Sequence, residues 1–150
     1  MTVGEICNRN VVVVPKTEMI VDAAKRMRML HVGDLIVIEN RDGHHIPIGL
    51  ITDRDIVVSA VAGDADHINY LAVSEVMSTD LVTARERDSV EAALTTMKEH
   101  GVRRLPIVDA AGDLVGILTL DDVLQFLTAQ QHELVALVAR EQHRERQYRV

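Results

Sequence analysis

The sequence predicts an α+β fold (an α/β-type sandwich) in which two β-α-β-β-α repeats pack about a pseudo-twofold axis and a C-terminal helical extension follows. Three observations predict this fold: an internal repeat, short aliphatic strands that alternate with amphipathic helices, and a length of 150 residues. Each half is too short to bury an adequate core alone, so the halves are expected to pack on each other. The expected divisions are residues 1–66, 67–128 and 129–150, the last being the helical tail.

The repeat emerges when the chain is aligned with itself at an offset of 70 residues. The offset falls to 67 at Gly49 and Gly116, so the first copy carries three extra residues. They fall within Asn40–Pro47, where Gly, Asp and Asn indicate a turn, and surface turns accept insertions. Apolar residues coincide along the aligned segments: Ile20 with Val90, Ala23 with Ala93, Met27 with Met97, Val32 with Val102, and Leu35 with Leu105.

The first half of each copy is predicted to be a strand followed by a helix. The strand is an aliphatic run, and the helix has apolar residues at i, i+3, i+4 and i+7, which is the pattern of a core-facing helix. Asp88 with Glu91 resembles a capping box at the start of the helix in the second copy, and Gly101 fits its C-terminal stop. The predicted bounds are Val11–Val14 and Leu81–Ala84 for the strands, and about Glu18–Leu30 and Asp88–Glu99 for the helices.

The second half of each copy is predicted to be a strand pair and a closing helix. In the second copy, Asp109–Asp113 contains a glycine between its two aspartates and is therefore predicted to be the hairpin turn. The closing helices are expected to begin near Asp53 and Leu120. The paired strands are predicted at Leu35–Glu39 with Ile48–Ile51, and at Leu105–Asp109 with Leu114–Leu118.

The composition limits the class of partner. A formal charge of −7 argues against nucleic acid and against an anionic membrane, because both reward clustered positive charge. No apolar run approaches the roughly 18 residues of a membrane span. Apolar residues make up 47% of the chain and aromatic residues 2%, so the core is expected to be aliphatic. Cys7 is the only cysteine, which favours a reducing, cytoplasmic location.

Both copies share a short polar motif at the end of their last strand. The motif is Gly-x-apolar-Thr-x-x-Asp, and it spans Gly49–Asp55 in the first copy and Gly116–Asp122 in the second. The second copy also contains GVRRLPIVD, which spans Gly101–Asp109. On these motifs the chain resembles a tandem pair of CBS (cystathionine β-synthase) domains, often called a Bateman module, and in particular the stand-alone CBS-pair proteins of bacteria. The resemblance covers roughly Val3–Leu127.

The resemblance implies a regulatory protein rather than an enzyme, with no required cofactor. Such pairs bind adenine nucleosides or nucleotides between the two copies; the motif Asp accepts hydrogen bonds from the ribose hydroxyls and the Thr lies near the α-phosphate. The chemistry is sensible, because a carboxylate offers two acceptor oxygens to the two donors of a ribose diol. AMP, ADP or ATP is favoured as the regulatory ligand, NAD and S-adenosylmethionine stay open, and the regulated protein would be a separate chain.

The resemblance further implies that each cleft combines residues of both copies. Cleft one has Arg103 and Arg104, where the family often has phosphate-binding residues, whereas cleft two has Gly33 and Asp34 at the equivalent positions. Because a carboxylate repels a phosphate, we expect the phosphorylated ligand in cleft one, and an uncharged nucleoside or no ligand in cleft two. Cleft one then consists of Leu50, Thr52, Asp55, Met77, Val82, Val102, Arg103 and Arg104, and cleft two of Ile117, Thr119, Asp122, Cys7, Val12, Val32, Gly33 and Asp34.

The motif residues also have a purely structural interpretation. Thr52 and Asp55 would serve as caps of the helix that they begin, because both residue types are preferred there. Asp53 is nevertheless favoured as the actual cap, and Arg54 is expected to be a solvated charge.

The histidines and the cysteine favour structural interpretations as well. His44, His45 and His67 lie near acidic residues but lack the spacing of an established metal site, so solvated loops are expected and no metal is predicted. Cys7 stands among apolar neighbours and is expected to be a small core residue.

The C-terminal tail is predicted to be a helix with one apolar stripe and a charged end. Its apolar face is expected to strengthen a homodimer, with packing on its own domain as the alternative. The alternative function is accordingly a structural or interaction homodimer with degenerate clefts that bind no nucleotide. The stripe consists of Leu127, Leu134, Leu137 and Val138.

Overall fold

A computed structural model describes residues 1–148 of the chain. It contains two three-stranded sheets, one in each repeat, with the strand orders β1-β2-β3 and β4-β5-β6. In each sheet the first strand runs parallel to the second, and the second runs antiparallel to the third. The predicted α+β class, the duplicated unit and the C-terminal helix are confirmed.

The two halves contain the same succession of elements as far as the helix that follows each motif. The first half comprises α1 (Val3–Ile6), β1 (Val13–Pro15), α2 (Ile20–Leu30), β2 (Asp34–Arg41), β3 (His44–Thr52), α3 (Asp53–Asp55), a π-helix (Ile56–Val61), α4 (Ala62–Asp64) and a 3-10 helix (Ala65–Tyr70). The second half comprises α5 (Val73–Val76), β4 (Ala84–Arg85), α6 (Val90–His100), β5 (Arg104–Val108), β6 (Leu114–Thr119) and α7 (Leu120–Tyr148).

The first strand of each copy begins later than the aliphatic run predicts, and a proline explains why the second is shorter. β1 pairs with β2 from Val13 onward, and the Ile36 N–H additionally donates to the Val12 carbonyl at 3.1 Å. The second copy has Pro106 at the position equivalent to Ile36, and a proline has no N–H to donate. The β4 ladder is consequently limited to Ala84–Arg85.

The three extra residues of the first copy lengthen its hairpin. β2 and β3 are paired from Asp34 with Thr52 to Arg41 with His44. The prediction therefore ended β2 too early, at Glu39, and began β3 too late, at Ile48. The turn itself is reduced to Asp42 and Gly43, whose φ angles of +53° and +85° lie in the left-handed region that Asp and Gly tolerate. The turn predicted within Asn40–Pro47 is present, but it occupies only these two residues, because the backbone groups on either side remain paired in the ladder.

The long helices begin and end close to the predicted residues, but one cap differs. Ser89, and not Asp88, caps α6: its hydroxyl accepts a hydrogen bond from the Ala92 N–H at 3.1 Å. Asp88 instead accepts from the Arg85 N–H at 2.8 Å. Gly101 ends α6 with a φ of +64°, as predicted.

Each hydrophobic core is completed by a short helix from the other half of the chain. Val3 of α1 is fully buried and packs with the second sheet and α6. Val73 of α5 is fully buried and packs with the first sheet and α2. Neither sheet therefore buries its apolar face with its own repeat alone, and the two repeats form one interlocked unit.

The helix α7 continues far beyond the second core. Val123 is buried, whereas Leu127 and Leu134 farther along are 45% and 64% exposed. Within residues 1–148, no helix combines the length and the hydropathy needed to cross a membrane.

Candidate ligand-binding clefts

In cleft one, the motif glycine lies where a segment from the second half crosses the edge of the first sheet. Leu50 and Ser78 exchange two backbone hydrogen bonds, of 3.0 and 2.9 Å. A Cβ atom on Gly49 would lie 2.8 Å from the Ser78 carbonyl oxygen and 2.9 Å from the Met77 sulfur. Only glycine admits this approach. The crossing brings together Leu50 and Met77, two residues that were predicted to share this cleft.

The same crossing is repeated in cleft two. Ile117 and Asn8 exchange two backbone hydrogen bonds, each of 2.9 Å. A Cβ atom on Gly116 would lie 2.7 Å from the sulfur of Cys7 and 3.1 Å from the Asn8 carbonyl oxygen. Cys7 and Ile117, both predicted for cleft two, are thereby brought together. The sequence prediction missed Asn8 and Ser78, although the 70-residue offset pairs them with each other.

The corner of cleft one is a reciprocal pair of hydrogen bonds between Thr52 and Asp55. The Thr52 N–H donates to Oδ2 of Asp55 at 2.9 Å, and the Asp55 N–H donates to the Thr52 hydroxyl oxygen at 3.1 Å. This capping box begins the helical segment after β3, so the structural interpretation of both residues is confirmed. Asp53 was the expected cap, and that prediction was wrong: it is the first helical residue, and its Oδ1 accepts from the N–H of the adjacent Arg54.

The corner of cleft two has the same box and one additional hydrogen bond. The Thr119 N–H donates to Oδ2 of Asp122 at 2.8 Å, and the Asp122 N–H donates to the Thr119 hydroxyl oxygen at 3.1 Å. The Thr119 hydroxyl also donates to Oδ2 of Asp122 at 2.7 Å. The equivalent hydroxyl of Thr52 has no acceptor within residues 1–148, so the donor that is occupied in cleft two is available in cleft one.

Capping leaves both carboxylates with acceptor capacity. In the described part of the chain, the hydrogen bonds of Asp55 and Asp122 all reach Oδ2, and Oδ1 of each is free. Both residues are half-buried. Each carboxylate can therefore begin its helix and still accept a hydrogen bond from a ligand hydroxyl.

The four predicted valines line the edges of the two cores. Val12 and Val32 are half-buried against the first core. Val82 and Val102 are half-buried against the second core. Each valine thus contributes to packing, and each retains some exposed apolar surface.

The charges assigned to opposite clefts are in contact. Arg104 and Asp34 form an ion pair, with Nη1 of Arg104 3.0 Å from Oδ1 of Asp34. The sequence prediction did not anticipate this contact, in which Asp34 pairs with an arginine that was assigned to the other cleft. Arg103 is exposed, and its side chain has no ion-pair partner among residues 1–148.

The remaining candidate residues are Cys7 and the histidines, and their contacts belong to the fold. Burial raises the pKa of the Cys7 thiol, so the thiol stays protonated at neutral pH and is a poor nucleophile. His67 pairs with Asp64 at 2.7 Å. His44 and the backbone N–H of His45 both bind Asp113 in the turn of the other hairpin, a contact between the repeats that the sequence prediction missed. No group of three or more metal-binding side chains occurs in residues 1–148.

Comparison with known proteins identifies the two repeats. The sequence profile of the CBS domain matches residues 3–61 and 73–129. A Methanopyrus kandleri protein is 37% identical over 125 residues, which are 83% of this chain, and this chain spans 62% of that protein's length. Hypoxic response protein 1 of Mycobacterium tuberculosis is 32% identical over 137 residues, which cover 91% of each chain.

Solved structures share the architecture. The crystal structure of hypoxic response protein I, which has two coordinated zinc ions, matches with a TM-score of 0.71 and 31% identity, over 83% of this chain and 98% of that chain. The crystal structure of CBSX2 in complex with AMP matches with a TM-score of 0.73 and 27% identity, over 87% of this chain and 98% of that chain.

Proposed function

The chain belongs to the CBS-domain family, and we propose that it is a non-catalytic cytoplasmic sensor that binds an adenosine-containing ligand between its two repeats and signals to a separate protein. AMP, ADP or ATP is the favoured ligand. The observation that carries the proposal is the corner of cleft one, where one capping box leaves Oδ1 of Asp55 and the hydroxyl hydrogen of Thr52 without a partner among residues 1–148.

The corner matches the two polar parts of an adenine nucleotide. The ribose offers hydroxyl donors, and Oδ1 of Asp55 is an acceptor with negative charge, so their hydrogen bond would be charge-assisted. The phosphate offers acceptors, and the Thr52 hydroxyl is a donor. The half-buried side chains of Leu50 and Met77 provide apolar surface beside this corner for the base.

The comparison with CBSX2 supports the choice of ligand. That protein was crystallised with AMP, and it shares both the fold and 27% of its residues with this chain. Cleft one is the better candidate for a phosphate, because the Thr119 hydroxyl of cleft two already donates to Asp122. Cleft two is proposed to hold an uncharged nucleoside or no ligand.

A thermal-shift titration of the full chain with AMP, ADP, ATP, NADH, S-adenosylmethionine and adenosine tests the proposal. A ligand that binds only the folded state stabilises it by RT ln(1 + [L]/Kd), about 2.7 kcal/mol at a hundredfold excess over Kd. Thr52→Val should reduce the shift caused by AMP. Thr119→Val, which removes the same capping oxygen in the other repeat, should leave that shift in place. No shift with any adenine compound would contradict the proposal.

A second candidate function is a self-associating scaffold, and α7 favours it. Leu124, Leu134 and Val138 lie on one side of this helix and are 52%, 64% and 51% exposed. Exposed apolar side chains on one side of a helix are typical of a protein–protein interface, and a second copy of α7 would cover them.

Sedimentation equilibrium tests the self-association that the second function requires. If α7 mediates a homodimer, Leu134→Asp should convert dimer to monomer, because it places a charge in the centre of the stripe. Ala136→Asp is the matched control, since residue 136 lies on the opposite side of the helix. A wild-type chain that sediments as a monomer at micromolar concentration would contradict the homodimer.

A further inference from the structure

The two repeats present opposite charges to each other at equivalent positions. Asp34 is the first residue of β2, and Arg104, which lies 70 residues later, is the first residue of β5. Their side chains meet at 3.0 Å. The Arg104 side chain is 34% exposed and the Asp34 side chain 23%, so the pair is partly shielded from water.

The strand registers locate this ion pair between the two corners. Asp34 is directly opposite Thr52 in the first sheet, and Arg104 is directly opposite Thr119 in the second. Side chains that are directly opposite on antiparallel strands lie on the same face, with Cβ atoms about 5 Å apart. Arg104 therefore contacts the residue that lies directly opposite Thr52 of cleft one, while its own position in the strand lies opposite Thr119 of cleft two.

We propose that Asp34 sets the charge selectivity of cleft one by competing with the ligand's phosphate for Arg104. The proposal rests on the function proposed above. Carboxylates and phosphates are recognised by the same fork of guanidinium donors, so the donors that hold Asp34 are the ones that a phosphate requires. A nucleoside without phosphate leaves the ion pair intact. A nucleotide must displace Asp34 or share the arginine with it.

A phosphate would not have to compete with a carboxylate for the other polar donors near cleft one. The Thr52 hydroxyl and the Arg103 side chain have no competing acceptor within residues 1–148, so both are available to a phosphate without loss of another contact. Asp55 has its own hydrogen bonds in the capping box and, in the described part of the chain, accepts no bond from an arginine. Competition for a donor is therefore confined to Arg104, and Asp34 weakens nucleotide binding while it leaves nucleoside binding unchanged.

Isothermal titration calorimetry of the full chain with adenosine and with AMP tests this inference. Asp34→Asn keeps the size of the side chain and removes its charge. We expect it to tighten AMP binding by roughly three- to tenfold and to leave the affinity for adenosine within twofold of wild type. Asp53→Asn is the matched control, because it removes a neighbouring exposed carboxylate that does not contact Arg104.

Arg104→Gln shows whether the effect acts through the arginine. In this background, adding Asp34→Asn should no longer change the ratio of AMP affinity to adenosine affinity. Circular dichroism at the assay temperature verifies that each variant is folded. An unchanged ratio in Asp34→Asn, or an equal gain in Asp53→Asn, would overturn the inference while the proposed function stands. Failure of wild type and all variants to bind either ligand would overturn the proposed function itself.

Discussion

At the scale of single residues, the glycine of the repeated motif is required for a different reason from the threonine and the aspartate. Gly49 and Gly116 admit the backbone of the other repeat, whereas Thr52 and Asp55 form a capping box that retains free hydrogen-bonding atoms. One sequence motif thus contains both a residue that allows the two repeats to pack closely and a candidate ligand site. The motif alone does not separate them, because the crossing segment lies about 30 residues away in sequence at Ser78.

Gly49→Ala tests the assembly role. The added Cβ would lie under 3.0 Å from a backbone carbonyl and from the Met77 sulfur, so the crossing segment must move. We expect a loss of about 1–3 kcal/mol in the free energy of unfolding, measured with urea.

Gly63→Ala is the matched control for that experiment. The nearest atom to its added Cβ is 3.9 Å away, and residue 63 lies in the helix α4. Alanine favours a helix over glycine by roughly 0.5–1 kcal/mol, so this variant should be neutral or more stable. A Gly49→Ala protein as stable as Gly63→Ala would show that the crossing is not rigid.

The ion pair of Asp34 and Arg104 shows the limit of prediction from a repeat. Aligning the copies correctly identified the two positions as equivalent and of opposite charge. The sequence prediction assigned them to separate clefts, because a repeat alignment gives correspondence and not proximity. Residues near a pseudo-twofold axis meet their own equivalents, and only the structure shows which positions lie there.

At the scale of elements, the insertion in the first hairpin connects the two repeats. The longer β2–β3 hairpin places His44 and His45 against Asp113, in the turn before β6. The helices and the succession of strands along the chain were predictable from apolar periodicity. The hairpin length was not, because Asn, Asp and Gly suggested a loop while the ladder of hydrogen bonds continued to Arg41.

The stability contributed by this contact should depend on pH. The hydrogen bond to Asp113 raises the pKa of His44 above its usual 6.5, and the hydrogen bond from His44 lowers the pKa of Asp113 below its usual 3.8. The histidine contribution is complete below pH 6.5 and is lost as the pH rises through the raised pKa. The aspartate contribution is complete above pH 3.8 and is lost as the pH falls through the lowered pKa.

Urea unfolding of wild type and His44→Gln at several pH values measures this dependence. The difference between their midpoints should be largest near pH 5, where His44 is protonated and Asp113 is ionised, and smaller at pH 9. A difference that is the same at pH 5 and pH 9 would mean that the charge of His44 does not contribute.

At the scale of the whole molecule, the repeats are interlocked by the segments that precede them. Each core contains a short helix from the other half, so the division at residues 66 and 67 stays a prediction about sequence units and does not describe independent packing units. The fold class followed from the repeat and its periodicity. The packing of α1 and α5 against the opposite cores could not be predicted in this way. Each helix has only four residues, which is too short for its periodicity to indicate what it contacts.

The two clefts follow from the same arrangement. Each joins a motif corner from one repeat to a crossing segment from the other, which agrees with the predicted mixing of Leu50 with Met77 and of Ile117 with Cys7. The corners differ in one hydrogen bond, which the Thr119 hydroxyl donates to Asp122, and one ion pair joins the residues opposite their threonines. A duplicated sequence thus produces two corners with different hydrogen-bonding capacity, and the central claim is that cleft one binds the nucleotide.

Calorimetric titration of the full chain with AMP, for wild type, Asp55→Ala and Asp122→Ala, tests that claim most directly. The two variants remove the same capping carboxylate from equivalent corners, so loss of the cap is matched between them. We predict that Asp55→Ala weakens AMP binding by about 10- to 100-fold, the value of a charge-assisted hydrogen bond, and that Asp122→Ala binds AMP as wild type does. AMP binding that survives Asp55→Ala and is lost in Asp122→Ala would contradict the claim.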